Sequence, residues 1–222
     1  MSKHMAGGVG SDGVRDVFAV EGLDGLRDRL ARQAEARDLL DVAYRTVDSP
    51  LGPLLLAATT TGLVRVAYDR EGFDEVLARI AALVSPRILA APARLDATAR
   101  ELEEYFAGTR REFTVPLDDR LSRGVRPGFA AAVRRYLPQI GYGHTASYGQ
   151  VAAAVGRATA VRAVGTACAT NPLPLVVPCH RVVRADGTPG GYVGGTAAKD
   201  ALLALEAAGL GAQEPDPRRA DR

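Results

Sequence analysis

Cysteine and histidine are scarce in this chain of 222 residues, which contains two cysteines and three histidines. The two cysteines, Cys168 and Cys179, are too few for the disulfide framework of a small secreted domain. No spacing of cysteine and histidine resembles a zinc site. We therefore predict neither a bound metal nor a cofactor.

Long apolar runs are also absent. No stretch approaches the roughly 18 residues that a membrane-spanning helix needs, and no apolar signal region follows the first residues, Met1 to His4. Hydrophobic residues make up 47% of the chain and charged residues 24%, as in ordinary globular proteins. We therefore expect a cytoplasmic protein without membrane contact.

Positive charge is concentrated in the second half of the chain. Residues 120–209 contain ten Lys and Arg but three Asp and Glu, a net charge of +7 in a chain that totals +2. The remaining residues therefore carry a net charge of −5. A basic half indicates a polyanionic partner such as a nucleic acid, although chains rich in Ala, Arg and Gly often have arginine-rich surfaces.

The sequence predicts two domains between two terminal segments. Residues 1–40 form an extension, with a disordered, Gly- and Ser-rich start and an amphipathic helix over 23–40. A small α/β domain is predicted over 41–119, and a second domain over 120–209. The charged tail over 210–222 is predicted to be disordered.

Three β-rich runs separated by turn residues begin the predicted α/β domain. These runs comprise residues 42–47, 54–59 and 63–68. Apolar residues then repeat at helical spacing over 73–83, and a second helix is predicted from Asp96, as its N-cap, to Gly108. A strand is predicted over 111–117. Nothing in this domain indicates chemistry.

The second domain is predicted to be mostly helical. Pro127 suits the first position of one helix. Ser147 and Gln150 have the spacing of a capping box, which predicts the start of a second helix. A third helix is predicted over 159–169.

The second and third of these helices are joined by a turn at Gly156 and Arg157. Two short helices joined by a glycine-containing turn are typical of a helix-turn-helix motif. The later helix carries Arg162 on a face of small residues, which favours close approach to a nucleic-acid groove. An ordinary packed pair of helices would give the same pattern.

Cys179 lies in the most informative stretch of the chain, at the end of an apolar run and just before His180 and Arg181. A thiol on rigid backbone, beside a titratable base and a fixed positive charge, is how proteins form a thiolate nucleophile. A buried structural cysteine is the alternative. The glycine-rich loop over 186–195 lets backbone amides approach a ligand, but it lacks the Gly-Lys-Ser/Thr ending of a phosphate loop.

Together these segments resemble the O6-alkylguanine-DNA alkyltransferases, also called methylated-DNA–protein-cysteine methyltransferases. The matching segments are 160–165, 171–172, 177–182, 191–192 and 199–206, with 49–52 and 102–108 in the first domain. The resemblance covers about residues 41–209. It implies a fold with a small α/β N-terminal domain of ribonuclease-H-like shape and a mainly helical C-terminal domain that holds the helix-turn-helix and the cysteine active site.

The resemblance implies a suicide reaction on double-stranded DNA, in which Cys179 attacks the alkyl carbon on O6 of guanine and keeps the alkyl group as a thioether. His180 would take the thiol proton through a water, and Glu206 would hold the imidazole. Tyr148 would donate a hydrogen bond or a proton to the leaving guanine. Asn171 would fix the turn before the active site. O4-alkylthymine is a further candidate substrate.

The resemblance also implies that the damaged nucleotide is flipped out of the duplex by a helix-turn-helix in the minor groove. Arg162 would fill the vacated stack. The other predicted DNA-binding residues are Thr159, Ala163, Arg157 and Arg181. The predicted substrate pocket consists of Pro174, Val182, Tyr192, Val193 and Gly194. Val193 departs from the family, in which a hydroxyl or other polar residue often follows this tyrosine. If only the backbone amide at this position is used, nothing is lost; if a hydroxyl matters, the pocket's polarity and preferred alkyl size change.

Three other functions fit parts of the sequence. A related protein that binds lesions without repairing them would lack the acceptor cysteine, so Cys179 argues against it. A helix-turn-helix regulator would have no use for the run from Pro178 to Arg181. A thiol hydrolase built on Cys179 and His180 would turn over and leave no alkylated protein. We expect the protein to act as a monomer.

Overall fold

The structure, a computed structural model, describes residues 15–123 and 128–211. Its first element is helix α1 (Arg15–Ala36), whose Ala31 and Ala34 are buried together with Leu40 against the next domain. The helix begins earlier and ends earlier than predicted. The Gly- and Ser-rich start of the chain lies outside the described residues.

A four-stranded sheet forms the centre of the N-terminal domain. The strands β1 (Val42–Val47), β2 (Leu54–Ala58) and β3 (Leu63–Tyr68) lie on the three predicted β-rich runs. They pair as an antiparallel meander, and β4 (Ile88–Ala90) pairs with β1 in parallel. The strand order is β3-β2-β1-β4.

Both faces of this sheet are covered, so β2 is buried along its whole length. Because side chains alternate along a strand, Leu55 and Ala57 face helix α2 (Phe73–Leu83). Leu54 and Leu56 face the opposite cluster, which includes helix α3 (Asp96–Phe106) and much of the C-terminal domain. This second face joins the two domains into one core.

Two local predictions in the N-terminal domain are wrong. Asp96 is the first residue of α3 rather than its N-cap, and its carboxylate pairs with Arg45 at 2.7 Å. Residues 111–117 form no strand, since only Leu117 makes an isolated bridge, to Leu63. The buried carboxylate of Glu101 accepts the N–H of Thr114 at 2.8 Å, and the Leu63 N–H donates to Pro116 O, also at 2.8 Å.

The C-terminal domain is mainly helical, as predicted. Its helices are α4 (Arg120–Arg123), α5 (Phe129–Tyr136), α6 (Tyr148–Ala154), α7 (Val161–Ala169) and α8 (Thr196–Gly211). Two short parallel strands, β5 (Ala146–Ser147) and β6 (Val182–Val183), lie between them. Pro127, predicted to open α5, lies outside the described residues. In the described ranges no helix is both long and apolar enough to cross a membrane.

The helix-turn-helix begins with the predicted capping box. Ser147 Oγ accepts the N–H of Gln150 at 3.1 Å, and Gln150 Oε1 accepts the N–H of Ser147 at 2.6 Å. These bonds satisfy two of the free donors at the start of α6. Gly156, with φ of +78°, ends the first helix of the motif in the left-handed region, and α7 follows.

Candidate active site

Cys179 begins a single helical turn, Cys179–Arg181, in the interior between α7 and α8, where it is 2% exposed. Asn171, just after α7, makes three hydrogen bonds within the segment that leads to Cys179. Its Nδ2 donates to Val177 O at 2.8 Å and to Cys179 Sγ at 3.2 Å. Its Oδ1 accepts the N–H of Leu173 at 3.1 Å. The amide therefore ties the turn before the active site to the sulfur itself.

The thiol of Cys179 is the resting form of this side chain. Burial raises the pKa of Cys179 to about 11, and the Asn171 hydrogen bond and the charges of Lys199 and Arg134 oppose that rise without cancelling it. Because a thiolate rather than a thiol is the nucleophile, a base must take the proton of Cys179 before the sulfur reacts.

His180 and Glu206 form a fully buried pair. His180 Nε2 lies 2.9 Å from Glu206 Oε1, and both side chains have no exposed surface. Burial lowers the pKa of His180, although Glu206 acts in the opposite direction. A neutral imidazole must donate through Nε2 to this carboxylate, which leaves Nδ1 as an acceptor. Nδ1 has no hydrogen-bond partner among the described residues, so it is free to accept a proton.

Glu206 accepts hydrogen bonds from four residues in three parts of the chain. Besides His180, they are the Tyr105 hydroxyl at 2.7 Å, the Gly143 N–H at 2.9 Å and the Arg181 guanidinium, with Nη2 at 2.9 Å. Burial alone would raise the pKa of Glu206, but the hydrogen bonds from His180 and Arg181 lower it to about 2. The carboxylate is therefore charged at every pH at which the protein works.

The predicted role of Arg181 in DNA binding does not fit its position. Arg181 is 6% exposed, and its guanidinium also donates to Ile140 O at 2.6 Å, facing away from solvent. The sequence places an arginine beside the active cysteine but does not show on which side it points. The buried charge of Arg181 pairs with Glu206, and the guanidinium orients that carboxylate.

Tyr148 and the buried Lys199 form a second group of side chains near Cys179. Lys199 Nζ donates to Val182 O and lies 5.9 Å from the centre of the Tyr148 ring. Burial raises the pKa of Tyr148, so its phenol keeps its proton and is a donor. Gly190 packs directly against the Tyr148 hydroxyl, where an added Cβ would collide with it.

Of the predicted pocket residues, Pro174 and Val182 are buried around Cys179. Tyr192 lies edge-on to His180 with ring centres 6.3 Å apart, and its hydroxyl lies 2.9 Å from that of Tyr68. Gly194 lies against the same Tyr68 ring.

Val193 has a different environment from the other predicted pocket residues. It lines a cleft of about 250 Å³ between α2 and the end of α7, whose lining does not include Cys179. Val193 is also partly buried against the hydrophobic core that contains Cys179.

Two family models together cover most of the chain. Residues 128–208 match the DNA binding domain of 6-O-methylguanine DNA methyltransferase, and residues 42–118 match its ribonuclease-like domain. The chain belongs to the 6-O-methylguanine DNA methyltransferase family.

Several relatives of the same family are similar over most of their length. A methylated-DNA–protein-cysteine methyltransferase of Mycolicibacterium paratuberculosis is 41% identical over 172 residues, covering 74% of this chain and 92% of that protein. The constitutive one of Bacillus subtilis is 35% identical over 167 residues, covering 73% and 94%.

Solved structures of the family are similar in fold. The O6-methylguanine methyltransferase of Mycobacterium tuberculosis has a TM-score of 0.65 at 36% identity, covering 80% of this chain and 98% of that one. The Mycobacterium tuberculosis OGT in complex with DNA has a TM-score of 0.62 at 37% identity, covering 75% and 94%. The predicted family and the predicted two-domain fold are confirmed.

The helix-turn-helix of this methyltransferase-family chain presents four of the five predicted DNA-binding residues to solvent. Arg157 and Thr159 in the turn, and Arg162 and Ala163 on α7, are all exposed. The opposite side of α7 is buried and includes Cys168, whose pKa is raised by burial to about 12. Cys168 therefore packs as a small apolar residue.

Three buried residues of the site were missed by sequence reasoning. Tyr105, Tyr68 and Lys199 all contact predicted site residues. Tyr105 and Lys199 lie within segments that carry the family resemblance, so a buried role for them was open to inference. Tyr68 had no such signal because it lies at the end of an ordinary strand of the other domain.

Proposed function

We propose that the protein repairs alkylated DNA by moving the alkyl group from O6 of guanine to Cys179. The Cys179 Sγ–carbon bond forms as the O6–carbon bond breaks, so one protein molecule repairs one lesion. The observation that carries this proposal is the acceptor thiol beside a buried His180–Glu206 pair in a chain of this family.

His180 is proposed as the base that takes the proton of Cys179, through one water. The buried, charged Glu206 supports this role because it fixes the imidazole with Nε2–H toward the carboxylate and Nδ1 free. It also stabilises the imidazolium that forms. Asn171 is proposed to steady the developing thiolate through its bond to Sγ.

Tyr148 is proposed to donate a hydrogen bond or a proton to the guanine ring, because the electron density of the ring rises as it leaves the alkyl carbon. General-acid help of this kind contributes about 10²–10⁴-fold in rate. Pro174, Val182, Tyr192 and Gly194 are proposed to surround the alkyl group, and the backbone at Val193 to complete this wall. O4-alkylthymine is proposed as a secondary substrate.

DNA is proposed to bind along α7. A base inside a duplex cannot reach a buried sulfur, so the nucleotide must be flipped out at a cost of a few kcal/mol. The exposed Arg162, on a helix face of small residues, is proposed to fill the vacated stack from the minor groove. The relative solved in complex with DNA supports this partner.

The domain limits 41–119 and 120–209 remain a proposal, supported by family matches that fall within them. We also propose that the protein works in the cytoplasm, where its free buried cysteines stay reduced, and that it acts as a monomer.

The test is the stoichiometry of repair. Increasing amounts of an O6-methylguanine duplex are added to a fixed amount of protein, and the repaired DNA is measured. We expect repair to stop at one lesion per protein molecule. Repeated turnover would indicate the thiol hydrolase, lesion binding without repair would indicate the non-repairing relative, and no preference for the lesion would indicate the regulator.

A further inference from the structure

Arg134 is a buried arginine without an acidic partner. It lies on α5, which packs against α7, and it is 7% exposed. No carboxylate pairs with it in the described part of the chain, and its Nε and Nη1 have no hydrogen-bond partner there. An unpaired buried charge is costly for a fold, so this position needs an explanation beyond packing.

The only described bonds of the Arg134 guanidinium are to Thr170. Nη2 donates to Thr170 O and to Thr170 Oγ1, both at 3.0 Å. Thr170 is the last residue before Asn171, whose amide bonds to Cys179 Sγ. Arg134 therefore holds the corner formed by Thr170 and Asn171, from which the Asn171 amide donates to Cys179 Sγ.

The charge of Arg134 also acts on the cysteine. An arginine does not lose its proton in proteins, so this corner stays positive. Burial raises the pKa of Cys179, and Lys199 and Arg134 are the cations that lower it. The other titratable groups that face this sulfur are His180, Cys168 and the tyrosines Tyr68, Tyr148 and Tyr192.

We propose that Arg134 is a positioning residue for alkyl transfer, which holds the Thr170–Asn171 corner and favours the thiolate of Cys179 by its buried positive charge. The role of Arg134 in alkyl transfer rests on the proposed function, whereas its effect on the ionisation of Cys179 does not. Arg134 should therefore lower the free energy of unfolding while it raises the rate of alkyl transfer.

The first test measures the ionisation of Cys179 without DNA. The ¹³C chemical shift of Cys179 Cβ is followed against pH in a cysteine-labelled Cys168→Ala protein, so that one thiol is observed and the seven tyrosines do not contribute. Arg134→Met should raise the midpoint by roughly half a unit to one unit, because a nearby opposite charge favours the ionised form. Arg134→Lys keeps the charge and should restore most of the shift.

The matched control is Arg135→Met, which removes a positive charge from the exposed next residue of the same helix. Solvent screens that charge, so its midpoint should stay at the wild-type value. Thr170→Val keeps the charge of Arg134 and removes one acceptor of its guanidinium, and it should also leave the midpoint near wild type.

The second test is the single-turnover transfer rate on saturating O6-methylguanine duplex across pH. Arg134→Met should be about three- to tenfold slower at pH 7, and the same ratio should hold at every pH well below the two Cys179 midpoints. Thermal unfolding should show Arg134→Met to be at least as stable as the wild type.

Either of two results overturns the proposal. One is an Arg134→Met midpoint equal to wild type. The other is a loss that Arg134→Lys shares in full, since that would make the exact shape of the side chain, rather than its charge, the important property. If Arg134→Met does not fold, the neutral Arg134→Gln takes its place, with the same expected rise in the Cys179 midpoint. If the wild type repairs no lesion, the proposed function fails while the thiolate titration still tests Arg134.

Discussion

Tyr105 donates a 2.7 Å hydrogen bond to Glu206 Oε1, the same carboxylate oxygen that accepts Nε2–H of His180. Tyr105 lies on α3 of the N-terminal domain, 101 residues before Glu206 along the chain. The N-terminal domain therefore supplies part of the buried hydrogen-bond network behind Cys179, and the site depends on both domains.

Tyr105→Phe should weaken the fold more than the reaction. The change removes one donor to a buried carboxylate, and hydrogen bonds to charged groups contribute about 1.5–3 kcal/mol. Urea unfolding should show a loss of this size, while transfer falls less than tenfold because His180 and Arg181 still hold Glu206. Tyr136→Phe, which removes the hydroxyl of a half-buried tyrosine on α5, is the control and should change stability by less than about 1 kcal/mol. Equal effects of the two changes would contradict the account.

Acid should destabilise the protein through Glu206. The pKa of Glu206 is lowered from an ordinary 4.5 to about 2, so its contribution is present above pH 4.5 and is lost as pH falls toward 2. The size of this loss is on the order of 3 kcal/mol. Urea unfolding at several pH values between 5 and 2 measures it.

Glu206→Gln tests the origin of the acid effect. Removing the carboxylate leaves Arg181 buried without an acidic partner, which should cost about 3–5 kcal/mol at neutral pH. The stability that remains should then change less with pH between 4.5 and 2 than that of the wild type. The same acid dependence in both proteins would show that other carboxyl groups cause it.

Gly190→Ala should slow alkyl transfer by displacing Tyr148. The new methyl group would occupy the place of the Tyr148 hydroxyl. If Tyr148 is the general acid, the single-turnover rate should fall toward that of Tyr148→Phe, by about 10²-fold or more. Gly191→Ala is the matched control, because nothing lies within 4 Å of its added Cβ. Similar rates for the two alanine variants would argue against this role of Tyr148.

Arg162→Ala should lower the transfer rate on duplex DNA more than on the free alkylated base. The free base needs no flipping, so a side chain that fills the vacated stack matters only in the duplex. Val161→Ala changes the exposed neighbour on the same helix and should affect both substrates little. Equal losses on duplex and free base in Arg162→Ala would remove the flipping role.

Local sequence patterns were sufficient for much of the fold. The three strands from Val42 to Tyr68 follow from β-rich runs separated by turn residues, and the capping box at Ser147 follows from one spacing. The run around Cys179 also predicts the acceptor. In each case the information lies within a few neighbouring residues.

The connections between the two domains could not be predicted in the same way. Tyr68 and Tyr192 are 124 residues apart and meet only because β3 packs against the glycine-rich loop. The burial of Arg181 likewise depends on where α8 places Glu206. The strand predicted over 111–117 is absent because the Thr114 N–H pairs with the Glu101 carboxylate, and only Leu117 bridges the sheet edge, at Leu63.

The central claim is that Cys179 accepts the alkyl group. Intact-protein mass spectrometry with peptide mapping, after incubation with an O6-methylguanine duplex, tests it most directly. The account predicts a gain of one methyl group per molecule, located on the peptide that contains Cys179, and no gain in Cys179→Ser, which still binds the lesion. A methyl group elsewhere on the chain, repair with no mass change, or transfer by Cys179→Ser would contradict it.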